Sequence, residues 1–387
     1  MTEAPREAGH LVIGGGPAGS MLAIHLAAAG REVVLLEKER SAHHKVCGEF
    51  LSGEAVEYLH QAGTDPLGLG AAIIRRVRHS VGRSVVEAVL PFSALSLSRL
   101  ALDEALLARA AEMGCNVQRG AFVERLTSQE GSWVAEVRGG QSWRASTVFL
   151  ASGKHDLRGL EREAGIRSDM VGFKLHWRLA PEQTEALREF MDLFLFIGGY
   201  GGLSLVEADV ANLCLVVRRM TLRRIGGWND LLATLLNENP HLAQRLQDAT
   251  PLWERPLAIS PIPYGYLGKR EEGLWRVGDQ AAVIPSFTGD GMAIALHSAS
   301  LAAQMFLTGE TAQLYHNTLR RQLGRNMRLA TGISRAMVTR AGVAFSSFGL
   351  SLFPNSMRWI ASSTRIPDRL LIHSATSNLA ESKLAIR

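Results

Sequence analysis

The sequence predicts an α/β fold with a Rossmann-like nucleotide-binding domain, an inserted antiparallel-sheet domain and a helical C-terminal region. Three patterns predict it: a glycine turn between a strand and a helix near residue 14, strand-like alternation over residues 170–266, and helical patterns after residue 310. The expected domains are residues 1–169 plus 267–310 for nucleotide binding, 170–266 for the substrate insertion and 311–387 for the helical region.

The first element is a βαβ unit. The apolar run His10 to Ile13 breaks at Gly14-Gly15-Gly16-Pro17-Ala18-Gly19, and a helix of small residues follows. In such a turn Gly14 permits the tight bend, Gly16 lets the backbone approach a pyrophosphate, and Gly19 lets helix and strand pack closely. The N–H groups at the helix start face the anion. These residues, with Pro17 and Ala18, are therefore expected to bind a dinucleotide.

A second strand, Glu32 to Leu36, runs into Glu37 and Lys38. The carboxylate stands about 20 residues beyond the glycines, where it can accept hydrogen bonds from both hydroxyls of an adenosine ribose. A lone GxGxxG motif is weak evidence for dinucleotide binding, but here the strand, the helix and the correctly spaced acid occur together with it. The proline after the third glycine, so close to the N-terminus, looks like an FAD-binding unit more than an NAD-binding one.

A second cofactor segment stands near residue 279. A strand runs into Gly278-Asp279, and Pro285 and Gly289-Asp290-Gly291 precede a helix that starts at Met292. An aspartate at a strand end can hydrogen-bond a ribityl hydroxyl, and glycines that open a helix offer N–H groups and a positive dipole to a flavin.

Together with Ser98-Arg99-x-x-Leu102, these motifs resemble the FAD-dependent superfamily that contains aromatic hydroxylases (group A flavoprotein monooxygenases), geranylgeranyl reductases and flavin-dependent halogenases. The likeness covers residues 10–306. It implies a glutathione-reductase-type FAD domain, with Arg99 near the pyrophosphate or ribityl chain and Val123 against the adenine. Lys45 joins this expected cofactor-binding set.

Candidate catalytic residues lie in His43-His44-Lys45-Val46-Cys47-Gly48-Glu49-Phe50, which looks like the Cys-Gly segment that passes beside the flavin ring in geranylgeranyl reductases. Cys47 could tune the flavin or donate a proton, although a free cysteine is more often an inert small hydrophobe. Glu49 is a candidate acid or base. His176, on an alternating strand, faces either the substrate or the core.

The chain carries 42 Lys+Arg and 37 Asp+Glu, and its basic residues are scattered, so no nucleic-acid partner is expected. The three cysteines form no disulfide framework or metal motif, which predicts no metal and a reduced, cytoplasmic setting. No apolar run reaches the roughly 18 residues of a transmembrane segment. The glycines Gly198 to Gly202 lead into a strand, so no second nucleotide unit is expected, and NADPH or NADH would bind transiently or act through an external reductase.

The first functional hypothesis is a monooxygenase that hydroxylates or epoxidises a small hydrophobic or aromatic metabolite in a biosynthetic pathway. The close alternative is a reductase or dehydrogenase of a carbon–carbon double bond, with Cys47 or Glu49 handling the proton. Halogenation is a minor alternative because the Trp-x-Trp-x-Ile-Pro signature is absent. A flavin-bearing sensor is the non-enzymatic alternative.

Overall fold

The computed structural model describes residues 4–129, 131–162, 165, 168–268, 273–352 and 365–372. The strands are β1 (Arg6–Ile13), β2 (Val33–Glu37), β3 (Phe50–Leu51), β4 (Ala72–Val81), β5 (Ser84–Ser96), β6 (Asn116–Arg119), β7 (Val123–Gln129), β8 (Ser132–Val137), β9 (Ser142–Leu150), β10 (Met170–Arg178), β11 (Glu189–Phe196), β12 (Gly199–Leu205), β13 (Ala211–Arg218), β14 (Thr250–Pro251), β15 (Leu257–Ile259), β16 (Tyr266–Leu267), β17 (Leu274–Arg276) and β18 (Ala282–Val283). The helices are α1 (Pro17–Ala28), α2 (Gly53–Gln61), α3 (Arg99–Glu112), α4 (Pro181–Leu187), α5 (Arg219–Ile225), α6 (Trp228–Glu238), α7 (Pro240–Arg245), α8 (Gly291–Leu307), α9 (Ala312–Met337) and α10 (Arg340–Leu352).

The first sheet is the nucleotide-binding sheet, with strand order β6-β2-β1-β9-β8-β7 and with β17 beside β9. Strands β6, β2, β1, β9 and β17 are parallel, whereas β7 and β8 extend the sheet in antiparallel fashion. Ile13 pairs with both Leu36 and Leu150, so the carboxyl ends of three neighbouring strands meet at one edge. Ligands of open α/β sheets bind in the crevice at that edge.

Two glycines make the packing at this edge possible. Gly14 has φ +110°, and a Cβ there would come within 2.5 Å of the Ala151 carbonyl oxygen. A Cβ on Gly19 would collide with the Gly14 carbonyl oxygen. Any side chain at either position would push α1 away from the sheet, so the roles predicted for these two glycines agree with their surroundings.

The second sheet has nine strands in the order β14-β10-β13-β12-β11-β4-β5-β3, with β15 also beside β10. Its pairings are antiparallel except for β11 with β4. Strands β3, β4 and β5 come from residues 50–96, on the FAD-binding side of the boundary expected at residue 170. They cover the edge of β11, which would otherwise expose unpaired backbone groups. The sheet is therefore built from both sides of that boundary.

Three local features shape the second sheet and its helices. Most of the glycines from Gly198 to Gly202 lie in strand β12; a Cβ on Gly201 would strike the Phe194 ring and come within 2.8 Å of Leu215 Cβ, so glycine makes room for packing. Helix α4 ends at Leu187, shortly before β11 begins. The helical stretch after Trp228 is interrupted at Asn239, which precedes Pro240.

The C-terminal region is helical, as expected, through α9 and α10. A later segment, residues 365–372, lies against α2, where Arg365 Nη1 donates to Glu54 Oε2 over 2.7 Å and Ile372 N donates to Tyr58 Oη over 3.1 Å. Within the described ranges, no helix combines the length and the apolar character needed to span a bilayer.

Candidate functional site

The end of β2 forms one half of a nucleotide site. Glu37 is buried, and its carboxylate accepts hydrogen bonds from the backbone N–H groups of Gly15 (2.7 Å) and Glu39 (3.0 Å). It lines a cleft whose wall also includes Gly15, Lys45, Asp103 and Arg119. A carboxylate at the floor of a cleft beside a glycine turn is the donor and acceptor set that an adenosine ribose needs.

Two cationic side chains, Arg99 and Lys45, lie where the pyrophosphate is expected. Arg99 begins α3, and its Nη2 lies 3.4 Å from the position that a Cβ on Gly16 would occupy. Arg99 Nε and Nη2 donate to Asp103 over 2.7 and 2.8 Å, and Lys45 Nζ donates to the same carboxylate over 2.9 Å. Two cations around one carboxylate leave a net positive charge beside the glycine turn. That charge suits a pyrophosphate.

Asp103 was missing from the sequence-predicted set. Burial opposes its ionisation, but Arg99 and Lys45 outweigh that effect and hold the pKa of Asp103 below its usual value. The signal that could have found it is the spacing: Asp103 stands four residues after Arg99, one turn along the same helix.

The second cofactor segment lies against the first. A Cβ on Gly278 would come within 2.8 Å of Ala18 Cβ, so the turn that carries Asp279 rests on the start of α1. Asp279 is 3.3 Å from Lys154 Nζ. Farther along, Pro285 precedes a short turn, Gly289 has φ +75°, Gly291 opens α8 with free space where a side chain would project, and Met292 is buried.

The other two predicted cofactor residues are Lys38 and Val123. Lys38 is on the surface, 3.7 Å from Glu39. Val123 begins β7 and is buried in the apolar cluster on the nucleotide-binding sheet. The glycines, Pro17, Glu37, Lys45, Arg99 and Asp279 nevertheless provide a backbone cradle, a ribose acceptor and an anion-binding cation pair, a set that fits FAD.

Glu49 is the centre of a second, fully buried cluster. Its backbone has φ +59°, and the residue has no solvent exposure. One carboxylate oxygen, Oε2, is 2.8 Å from His176 Nε2. The other, Oε1, accepts the Arg99 backbone N–H over 2.7 Å and an ion pair from Lys174 Nζ, whose residue is also fully buried. The predicted residues Glu49 and His176 are therefore in direct contact.

The charges of this cluster are coupled. Burial raises the pKa of Glu49, but the hydrogen bond to His176 and the charge of Lys174 lower it more. The net effect is a pKa below the usual value, so the carboxyl is ionised at neutral pH. Burial, with Lys174 and His176 as additional causes, lowers the pKa of His44 to about 4. Neutral His44 lies edge-on to His176, with ring centroids 4.8 Å apart, and both rings contact Trp253.

Cys47 lies at the margin of the cluster. Its Sγ accepts the Glu49 backbone N–H over 3.3 Å, and its carbonyl accepts Asn212 Nδ2 over 3.2 Å. Asn212 stands opposite His176 in the sheet, and Cys214 stands opposite Lys174. Burial raises the pKa of the Cys214 thiol to about 12, which makes Cys214 a poor proton donor at neutral pH.

Residues 46–50 connect the cofactor crevice with the second sheet. The Val46 side chain lies 3.3 Å from where a Cβ on Gly172 of β10 would be. The Phe50 ring lies 2.7 Å from where a Cβ on Gly289 would be. The structure thus brings the three predicted catalytic residues together, because Glu49 contacts both Cys47 and His176. Sequence reasoning missed three residues around them, Lys174, Asn212 and Trp253, and gave His44 no role of its own within the candidate segment.

We expect Glu37→Gln to weaken FAD binding by about tenfold or more, because the amide loses the charge-assisted acceptors for the ribose hydroxyls. The measurement is the dissociation constant for FAD, from flavin fluorescence on titration of apoprotein. Glu32→Gln is the matched control, since Glu32 is an exposed carboxylate just before the start of the same strand and outside the cleft lining. Equal dissociation constants for wild type and Glu37→Gln would contradict the ribose assignment.

Comparison with known proteins agrees with this geometry. Residues 7–149 match the family model of an FAD binding domain. The chain is 26% identical over 317 residues to digeranylgeranylglycerophospholipid reductase 2 of Methanopyrus kandleri, covering 76% of each protein. It is 26% identical over 356 residues to menaquinone reductase of Mycobacterium tuberculosis, covering 83% of this chain and 81% of that protein.

Solved structures share the fold. The myxobacterial chondrochloren halogenase CndH superposes with a TM-score of 0.74 at 20% identity, covering 99% of this chain and 90% of the other. A flavoprotein/dehydrogenase from Cytophaga hutchinsonii gives 0.73 at 17% identity, covering 97% and 100%. The protein is thus an FAD-dependent oxidoreductase, and it is similar in sequence to the two reductases and in fold to the halogenase and the dehydrogenase.

Proposed function

We propose that this oxidoreductase reduces a carbon–carbon double bond in a hydrophobic substrate. The observation that carries the proposal is the sealed charge cluster of Glu49, Lys174 and His176 with the Cys47 thiol at its margin. Reduction of a double bond adds a hydride to one carbon and a proton to the other. The protein must therefore place an acid beside the flavin and exclude water from it.

FAD, when bound, supplies the hydride. The proton must come from the chain, and the charges decide between the two candidate donors. Glu49 has a lowered pKa and is held ionised by Lys174 and His176, so it carries no proton to give at neutral pH. We therefore assign the donor to the Cys47 thiol, whose Sγ–H bond breaks as the new carbon–hydrogen bond forms.

The surroundings of Cys47 suit this role. After the proton leaves, the thiolate accepts the Glu49 N–H, which already lies 3.3 Å from Sγ, and lies near the Arg99 guanidinium. Buried Lys174 and His176 flank the Glu49 carboxylate and keep it charged while the thiol gives up its proton.

The relatives support a reductase. Two proteins that align with this chain over three quarters or more of their length are both reductases, one of a digeranylgeranylglycerophospholipid and one of menaquinone. We propose a substrate of similar character, a hydrophobic molecule with an unsaturated chain or ring. NADPH or NADH, or an external reductase, would supply electrons without a resident second nucleotide unit.

Oxygenation, the first hypothesis from the sequence, uses the same cofactor and differs in the electron acceptor. To separate the two reactions, the FAD-loaded protein is photoreduced without oxygen and mixed with unsaturated isoprenoids and quinones in a stopped-flow spectrometer. We expect reoxidation by one substrate without oxygen, with the saturated analogue of that substrate as control. Reoxidation that needs oxygen and accelerates with an aromatic substrate would establish a monooxygenase instead.

Cys47→Ser should slow anaerobic reoxidation by the substrate about 100-fold or more, the range expected when a general acid is removed. Photoreduction and FAD affinity should be unchanged. Cys115→Ala is the control, because Cys115 is buried against the nucleotide-binding sheet, away from the cluster. A Cys47→Ser enzyme that keeps its wild-type reoxidation rate would move the donor role to another group.

A further inference from the structure

We propose that one end of the nine-stranded sheet docks on an anionic lipid bilayer. This hairpin-end surface consists of the β4–β5 turn (residues 82–83), the β11–β12 turn (residues 197–198), helix α5 and residues 340–345 of α10. The proposal concerns binding alone and holds for either flavin reaction.

The four segments are neighbours in the sheet. Val81, at the end of β4, pairs with Leu195 on β11, so the two turns lie side by side. Gly198 accepts a hydrogen bond from Arg218 N over 2.8 Å, and its N–H donates to the Val338 carbonyl over 2.9 Å. Those two contacts join the second turn to the residue before α5 and to the chain that leads into α10.

Three of the four segments present a large apolar side chain to solvent, and a further one lies beside the remaining turn. Ile197 is 52% exposed, Met220 on α5 is 61% exposed, and Phe345 on α10 is 76% exposed. Val85, just after the first turn, is 42% exposed. These side chains come from four separate parts of the chain that lie next to one another at this end of the sheet. Such convergence is typical of a surface that buries them against a partner.

Arginines surround these apolar groups. Met220, Arg223 and Arg224 share one face of α5 because residues three and four positions apart are adjacent on a helix, and Arg219 is exposed beside them. Arg83 and Arg340 are exposed on the flanking segments. The acids nearby are Asp169, 3.4 Å from Arg218, Glu238, beside the first turn, and Asp230, against the end of α5. Cations therefore outnumber acids on this face.

Exposed apolar groups among arginines match the chemistry of a bilayer with anionic headgroups. The arginines pair with lipid phosphates while Ile197, Met220 and Phe345 enter the region below them. An acidic protein would satisfy the arginines, but four apolar side chains spread over separate turns and helices fit a fluid surface better than one rigid site.

Apolar residues lie between the hairpin-end surface and the Glu49 cluster. Strand β10 begins at Met170 and carries Lys174 and His176 of that cluster farther along. Met170 belongs to an apolar cluster that includes Leu195, Tyr200, Val216 and Val338 and lies between the hairpin-end surface and the buried charges. A protein seated on a membrane by this end would point its apolar interior toward the lipid.

The test is sedimentation of the full-length FAD-bound protein with phosphatidylcholine vesicles that contain or lack 30% phosphatidylglycerol. We expect binding to the anionic vesicles and a loss of at least about tenfold in affinity for Arg223→Glu/Arg224→Glu. Met220→Ser/Phe345→Ser should also weaken it several-fold without any change in charge. The control, Arg325→Glu/Arg328→Glu, makes the same charge change on the exposed face of α9 and should keep wild-type binding.

Three results would overturn the proposal: no wild-type binding to anionic vesicles, equal losses in the α5 and α9 variants, or no loss in the apolar variant. The last result would indicate attraction of charge alone, as for an acidic protein. An unchanged flavin absorption spectrum shows that each variant is folded.

Discussion

The carboxylate of Glu49 is the group on which the site depends. It has no contact with solvent, and a buried carboxylate must be balanced by cations and hydrogen-bond donors to remain charged. Lys174 and His176 come from the second sheet, and the Arg99 N–H comes from the start of α3. A single side chain therefore joins the nucleotide-binding domain to the sheet that covers it, and its positive φ shows that the surrounding contacts hold the backbone in an uncommon conformation.

Arg99 connects this cluster to the cofactor crevice. Its backbone N–H binds Glu49, and its guanidinium binds Asp103 and lies near Gly16. A ligand that draws the guanidinium toward a pyrophosphate acts on the same residue that holds the Glu49 carboxylate. In the proposed FAD site, the start of α3 therefore links cofactor binding to the buried Glu49 cluster.

The features that depend on local spacing could be predicted from the sequence. Gly14, Gly19 and Glu37 are specified by short-range geometry of a strand, a turn and a helix, and the structure places them as that geometry requires. Lys174 could not be assigned in the same way, because its partner Glu49 is far away in the sequence. Its only local signal is the alternation that puts Lys174 and His176 on one face of a strand. The pairing of β4 with β11 is likewise long-range, and the local sequence of residues 72–96 does not predict it.

The central claim is that Glu49 and Lys174 stabilise each other as a buried ion pair. A double-mutant cycle tests it directly, with the free energy of unfolding measured in urea for wild type, Glu49→Gln, Lys174→Met and the double variant. Each single change should cost about 3–5 kcal/mol because it leaves a buried group without its partner. We predict that the double variant loses at least about 2 kcal/mol less than the sum of the two single losses. Additive losses would show that the two groups do not interact and would contradict the account.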